Sequence, residues 1–131
     1  MLPADQRLTR PAEFAATVRQ GRRVGRPRVV VHVREHAGGG REQDAGSAGA
    51  VVQVGSARVG LVVSKAVGNA VVRHRVSRRL RHVVAPLVPR VAAGTSVVLR
   101  ALPAAGTASS AELAADVGSA LRRLGVLDPQ P

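Results

Sequence analysis

The sequence has no cysteine, tryptophan or tyrosine, and Phe14 is its one phenylalanine. Without cysteine there is no disulfide framework and no thiolate metal site. With a single conventional aromatic, a planar ligand finds only Phe14 to stack on, with His32 and the planes of arginine side chains as substitutes. No run of 18 apolar residues exists, so no segment reads as a membrane-spanning helix. Met1 to Arg7 lacks an apolar signal core, and a cytoplasmic location is expected. Acid is missing where base is densest. From Ala45 through Ala111 there is no Asp or Glu, yet that span carries Arg58, Lys65, Arg73, Arg75, Arg78, Arg79, Arg81, Arg90 and Arg100.

What is present fits one small globular domain. The 131 residues are enough to bury a real core, and a hydrophobic content of 45% is ordinary. The formal charge of +12 is not ordinary, and it points to an anionic partner, a polyphosphate backbone above all. Lys65 is the only lysine. The accompanying wealth of Ala, Gly, Val and Pro matches GC-rich coding, so arginine over lysine carries no mechanism by itself. The expected organisation is a single domain over 1–131 that binds such an anionic partner.

Residues 1–8 are expected to form a loose arm, and Thr9 to cap a short helix that bears Phe14 and Val18 and stops at Gly21. Arg22, Arg23, Arg26 and Arg28 read as a basic link, with Pro27 blocking helix. Val29 to Arg34 alternate as a strand. Val29, Val31 and Val33 share one face, while the mixed face of Val30, His32 and Arg34 is expected to lie outside the deep core. The glycine- and alanine-rich residues 37–50 are expected to be a mobile loop. A strand region follows from Val51 to Val63, with Gly55 and Gly60 as candidate bulges. Ser96 to Leu102 reads as a further strand. Ser109 and Glu112 form a capping box for a last helix with Leu113, Val117, Leu121 and Leu124 inward. Gly125 ends that helix, and 126–131 reads as a tail. The result is an α/β (α+β) two-layer sandwich with a small mixed sheet and three helices, in the order α-β-β-(β)-α-β-α.

The stretch from Ser64 to His82 organises the chain. Gly68 permits a tight turn, Asn69 is a natural N-cap, and Val72, Val76, Leu80, Val83 and Leu87 recur at helical spacing. At about 100° per residue, Arg75, Arg78, Arg79 and Arg81 point away from that stripe, with His74 and His82 beside them and Arg73 on its flank. Such a face is a solvated basic surface or a docking surface, and the missing carboxylates favour docking. No gathering of carboxylates or histidines suits a protein nuclease. His32 and His36 are spaced poorly for a shared metal, so neither a catalytic nor a metal-ligating residue is assigned.

Lys65-Ala66-Val67-Gly68-Asn69-Ala70-Val71-Val72-Arg73-His74-Arg75, preceded by Ser64 and followed by further arginines, resembles the signature of the protein subunit of bacterial ribonuclease P. That pattern runs Ser-Lys-x-x-Gly-Asn-Ala-Val-x-Arg-Asn-Arg. Arg7-Leu8 ahead of a short helix with Phe14 and Gly21 is similar to the family's N-terminal segment. His74 stands where the family has Asn, and Ser77 where Lys is common; Val18 and His32 stand where relatives often carry Phe and Tyr. The resemblance implies a protein that is not itself the catalyst. An RNA subunit, using Mg2+, hydrolyses the bond that releases the 5′ leader of precursor tRNA. The implied partners are that RNA and precursor tRNA, with neither DNA nor membrane, and no cofactor held by the protein itself. The implied docking residues are Lys65, Asn69, Arg73, Arg75, Arg78, Arg79 and Arg81. Phe14, Val18, His32 and Arg34 are the candidates for a leader cleft between the first helix and the sheet. Asn69 keeps its simpler reading as a cap, and Phe14 serves a core and a cleft wall equally well. The family also implies a left-handed crossover through the basic helix, against the general right-handed rule.

A ribosomal or ribosome-assembly RNA-binding module is the alternative, because charge alone does not separate the two. A helix-turn-helix DNA reader needs two adjacent helices, whereas strands flank the arginine helix on both sides. A membrane-surface helix lacks the aromatic anchors on its apolar face.

Overall fold

The computed structural model describes residues 11–35 and 57–127. The expected N-terminal arm, the Thr9 cap, the Arg7-Leu8 match, the 37–50 loop, the first part of the 51–63 strand and residues 128–131 lie outside the described residues. The described residues form three α-helices and four strands: α1 (Pro11–Gln20), β1 (Arg22–Gly25), β2 (Val29–Glu35), β3 (Arg58–Val62), α2 (Ala70–Val84), β4 (Thr95–Ala101) and α3 (Ser110–Leu124). Short 3-10 turns cover Lys65–Val67, Val88–Arg90 and Pro103–Thr107. The sheet order is β1-β2-β4-β3. β1 and β4 run antiparallel to β2, while β3 runs parallel to β4, so the sheet is mixed and α2 is the crossover between its parallel strands. This is the expected α+β architecture.

Valine dominates the strands because β-branched side chains suit a pleated surface covered by helix. Val29, Val31, Val33, Val59, Val97 and Leu99 enter one continuous core with Val76, Leu80 and Val84 of α2 and Leu113, Val117, Leu121 and Leu124 of α3. The four inward residues expected on the last helix are all buried, and its capping box forms. The Ser109 hydroxyl accepts from the Glu112 amide at 3.1 Å, and Glu112 accepts from the Ser109 amide at 2.9 Å. Gly125 ends α3 at φ 74°, a left-handed conformation that favours glycine.

Four expectations need correction. Arg22 to Gly25 is an edge strand rather than a link, paired from Arg22↔Val33 to Gly25↔Val30. It escapes a periodicity reading because only Val24 is apolar, and a charged edge strand of this kind discourages pairing with other chains. Gly60 makes no bulge; it pairs with Val98 in an unbroken register. Val126 and Leu127 are core rather than tail: both are buried, and Leu127 bridges to Val91. The mixed face of β2 is also covered, with Val30 and His32 buried alongside Val98 of β4. α1 lies on β1, β2 and β4 but contributes nothing to the main core. Strand alternation therefore puts α1 over this second face. Gly21 allows the close approach, since a Cβ there would sit 2.1 Å from the Val33 carbonyl oxygen.

The corner between β1 and β2 is tied to α3 by the buried Asp116. It accepts from the Arg28 amide at 3.0 Å and from the Arg28 guanidinium at 3.1 Å, while Arg28 also reaches Glu112 at 3.5 Å. Asp116→Ala leaves that buried amide without its acceptor and the guanidinium with Glu112 alone, and should lower stability by about 2 kcal/mol. Urea unfolding should show a lower midpoint at an unchanged slope; an unmoved midpoint removes the strut.

His32 yields a second expectation. Burial first, then the charges of Arg100 and Arg23, hold its pKa below the ordinary 6.5. The folded protein thus favours the neutral ring, and its Nε2 has no hydrogen-bond partner among the described residues. A group with a lowered folded pKa binds more protons when unfolded. Its stability contribution is present above the unfolded pKa and is lost as pH falls through and below it. The melting temperature should therefore drop between about pH 7.5 and pH 5.5, and His32→Leu should reduce the drop. Coincident pH profiles for the two proteins would contradict this.

Candidate nucleic-acid interface

The basic helix is set up by the turn before it. The Ser64 hydroxyl accepts from the Ala66 amide at 3.3 Å and opens the Lys65–Val67 turn. Gly68 follows at φ 157°, where a Cβ would lie 2.8 Å from a Val72 methyl. Asn69 is the N-cap, its side-chain oxygen accepting from the Val72 amide at 2.9 Å. Arg73 closes the turn by donating from Nε to the Gly68 carbonyl at 3.1 Å. Lys65 and Asn69 are exposed and Arg73 is half-buried, and all three border the same turn, because the Gly68 amide donates to the Lys65 carbonyl and Arg73 reaches back to the Gly68 carbonyl.

Beyond that turn the arginines divide into two groups. Arg75 donates to the Gly106 carbonyl at 3.1 Å and Arg79 to the Ala108 carbonyl at 2.6 Å. Both are half-buried and lean along the segment between β4 and α3. Arg78 is exposed and Arg81 half-buried, and neither has a protein partner among the described residues. His74 and His82 are exposed on the same outer side. A carbonyl partner orients a guanidinium without cancelling its charge, so all five arginines of α2 remain cationic.

Carboxylates are kept elsewhere. Among the described residues the ion pairs are Arg22–Glu35, Arg28–Glu112 and Arg28–Asp116, all at the β1 side and on α3. None involves α2. Among the described residues, charge is thus compensated at one edge while the crossover helix carries positive charge with no carboxylate partner, a distribution that orients an anionic partner before contact.

The sheet face under α1 forms a second cationic region. Register aligns Arg23 with His32, Arg34 with Ser96 and Arg58, and Arg100 with Val30 and Val62. Strand alternation then gives these arginines the same face as His32. Of the cleft candidates, Phe14 is half-buried, Val18 is 40% exposed and Arg34 is half-buried. His32 is 1% exposed, and this corrects its candidacy as a stacking platform: a ring covered by α1 has no open face for a base. Arg23, Arg58 and Arg100 were not among the candidates. The signal for Arg58 was available, because it alternates with the inward Val59 and Leu61; Arg100 needed the pairing register, and Arg23 needed β1 itself.

Among the described residues, no three of His, Cys, Asp and Glu gather into a cation site. No described helix is long and apolar enough to cross a membrane.

Comparison with known proteins bears on the family and the fold. The family model for ribonuclease P matches residues 2–125. The chain is 54% identical over 132 residues to the ribonuclease P protein component of Nocardia farcinica, covering 96% of this chain and 85% of that one. It is 49% identical over 124 residues to the protein component of Streptomyces bikiniensis, covering 95% of each. The fold is similar to that of the RNase P protein of Staphylococcus aureus, with a TM-score of 0.73 at 20% identity over 94% of this chain and 98% of that one. It is also similar to the RNase P protein of Thermotoga maritima, with a TM-score of 0.68 at 16% identity over 89% and 96%. With a family match that spans nearly the whole sequence and relatives at about half identity, the chain belongs to the ribonuclease P protein family.

Proposed function

We propose that the protein assembles with ribonuclease P RNA through α2 and the turn before it, and that the RNA carries out the hydrolysis that frees the 5′ leader of precursor tRNA. The observation that carries this reading is the crossover helix, whose arginines face outward or along one side with no carboxylate partner among the described residues. A folded RNA supplies the missing countercharge, and Lys65, Asn69, Arg73, Arg78 and Arg81 are placed to meet its phosphates. Arg75 and Arg79 contribute charge and fix the neighbouring segment in position. Mg2+ belongs to the RNA-containing holoenzyme in this reading, as the ion that activates water and stabilises the leaving oxygen.

The leader is assigned to the α1-covered sheet face and its open margin. Arg34, Arg58 and Arg100 supply positive charge there, while Phe14 and Val18 supply the apolar wall. Holding the leader on protein lowers the electrostatic cost of bringing a second polyanion to the catalytic RNA, an effect greatest when Mg2+ is scarce. The site of action is the cytoplasm, where transcripts are processed.

Affinity for the RNA should fall steeply with salt, since each neutralised phosphate releases counterions. Arg78→Ala with Arg81→Ala should reduce the slope of log affinity against log salt by about 1.5, at roughly 0.7–0.9 per lost phosphate contact. Thermal unfolding of that variant should be unchanged, because neither side chain holds the fold. A flat salt response in the wild type removes α2 as the docking face.

Reconstitution tests the activity. Added to a bacterial ribonuclease P RNA at low Mg2+, the protein should restore cleavage of precursor tRNA at the mature 5′ end. Failure to restore it, with tight binding to ribosomal RNA instead, would favour the ribosomal module.

A further inference from the structure

Val71 does nothing for the fold. It is 71% exposed, while Val76, Leu80 and Val84 on the same helix are buried and Val72 and Val83 pack against the core. A β-branched residue in a helix is also a poorer helix former than the alternatives, so its presence gives the helix no gain of its own. A single exposed valine needs no explanation on an ordinary surface. Its setting is what differs. Ala70, Val71, His74, Arg75 and Arg78 line one shallow depression on the outer side of α2. An apolar floor thus sits inside a cationic rim, with Arg75 fixed in place by the Gly106 carbonyl.

That combination matches one nucleotide better than it matches a duplex. A nucleotide joins an apolar base face to an anionic phosphate. In a paired, stacked helix the base faces are covered and only phosphates, riboses and base edges remain outside; an unstacked base presents its face. A second copy of the chain fits poorly, because placing Val71 against Val71 would bring two sets of Arg75 and Arg78 together without countercharge.

We propose that Ala70 and Val71 receive the face of an unstacked nucleobase in ribonuclease P RNA, with the adjoining phosphates on Arg78 and Arg75. This rests on the docking of α2 onto that RNA and names the feature that the N-terminal half of the helix selects. Val71 is in this view a specificity residue: the arginines supply affinity for any phosphate backbone, and the apolar step discriminates for a backbone that turns a base outward.

The test compares wild type, Val71→Ser and Val71→Thr on ribonuclease P RNA. Val71→Ser should weaken binding about tenfold and Val71→Thr, which keeps the shape and replaces a methyl by a hydroxyl, less. The salt slope should stay at the wild-type value in both, unlike that of Arg78→Ala, because no phosphate contact is lost. Dimethyl sulfate probing should show a base protected by wild type and exposed with Val71→Ser, while hydroxyl-radical protection of the backbone persists. Circular dichroism of the free variants should match wild type. Unchanged affinity and base protection in both variants would overturn the proposal, as would a reduced salt slope. Sedimentation that shows wild-type dimers lost on Val71→Ser would overturn it in favour of a second copy. A wild type that does not bind the RNA at all would remove the docking reading itself, and is told apart because it appears before any substitution is made.

Discussion

The packing of α2 against α3, over the core they share with the sheet, is the constraint on which the rest depends. Val76, Leu80 and Val84 are buried against the sheet and α3, and that contact fixes the rotation of the helix. Rotation decides everything on the outside: with the inner stripe seated, Val71, His74, Arg78 and His82 face outward. A helix this rich in one sign of charge repels itself, since like charges one turn apart are unfavourable. Burial of the stripe outweighs that repulsion, at about 1.5–3 kcal/mol for each fully buried Val or Leu side chain. The apolar core thus holds a strained charge distribution in the state that an RNA can use.

Arg75 and Arg79 show how the same residue type serves two ends. Each reaches a backbone carbonyl in the segment between β4 and α3, at Gly106 and Ala108. That segment packs back onto the turn before α2, where Gly106 is required because a Cβ would lie 2.8 Å from the Val67 carbonyl oxygen. The cationic corner at Lys65, Asn69 and Arg73 is therefore braced from outside as well as from its own helix. Guanidinium suits this work, because its several donors allow one bond to a carbonyl while others remain for phosphate.

The sequence made α2 legible because three signals coincide there: a glycine turn, an Asn cap and an apolar repeat of helical period. All three appear in the structure. α3 was legible for the same reason, with its capping box and four inward residues. β1 was not, since an edge strand exposed to water needs no apolar alternation and Arg22, Arg23 and Gly25 supply none. The burial of His32 was hidden because its cover comes from α1, a helix whose approach depends on Gly21 and on tertiary contact. Which arginines brace the fold was hidden too. Helical spacing places Arg75, Arg78, Arg79 and Arg81 on one broad face, but only the position of the Pro103–Thr107 turn separates the two that meet carbonyls from the two that do not.

The two cationic surfaces are parts of one rigid unit. β3 carries Arg58 on the α1-covered face and leads directly into the Lys65 turn of the helix face. β4 carries Arg100 on that same sheet face and leads into the Gly106–Ala108 segment that holds Arg75 and Arg79. The segment is anchored in turn by the Leu102 amide on the Arg28 carbonyl at 2.9 Å, and Arg28 is held by Asp116 of α3. Two strands joined in register cannot shift one surface without shifting the other. In the proposed holoenzyme, the docked RNA and the bound leader would then be held at a fixed separation by the parallel β3–β4 pair. Two RNA strands that repel each other would gain a shared cationic spacer, its two faces held in the register of β3 and β4.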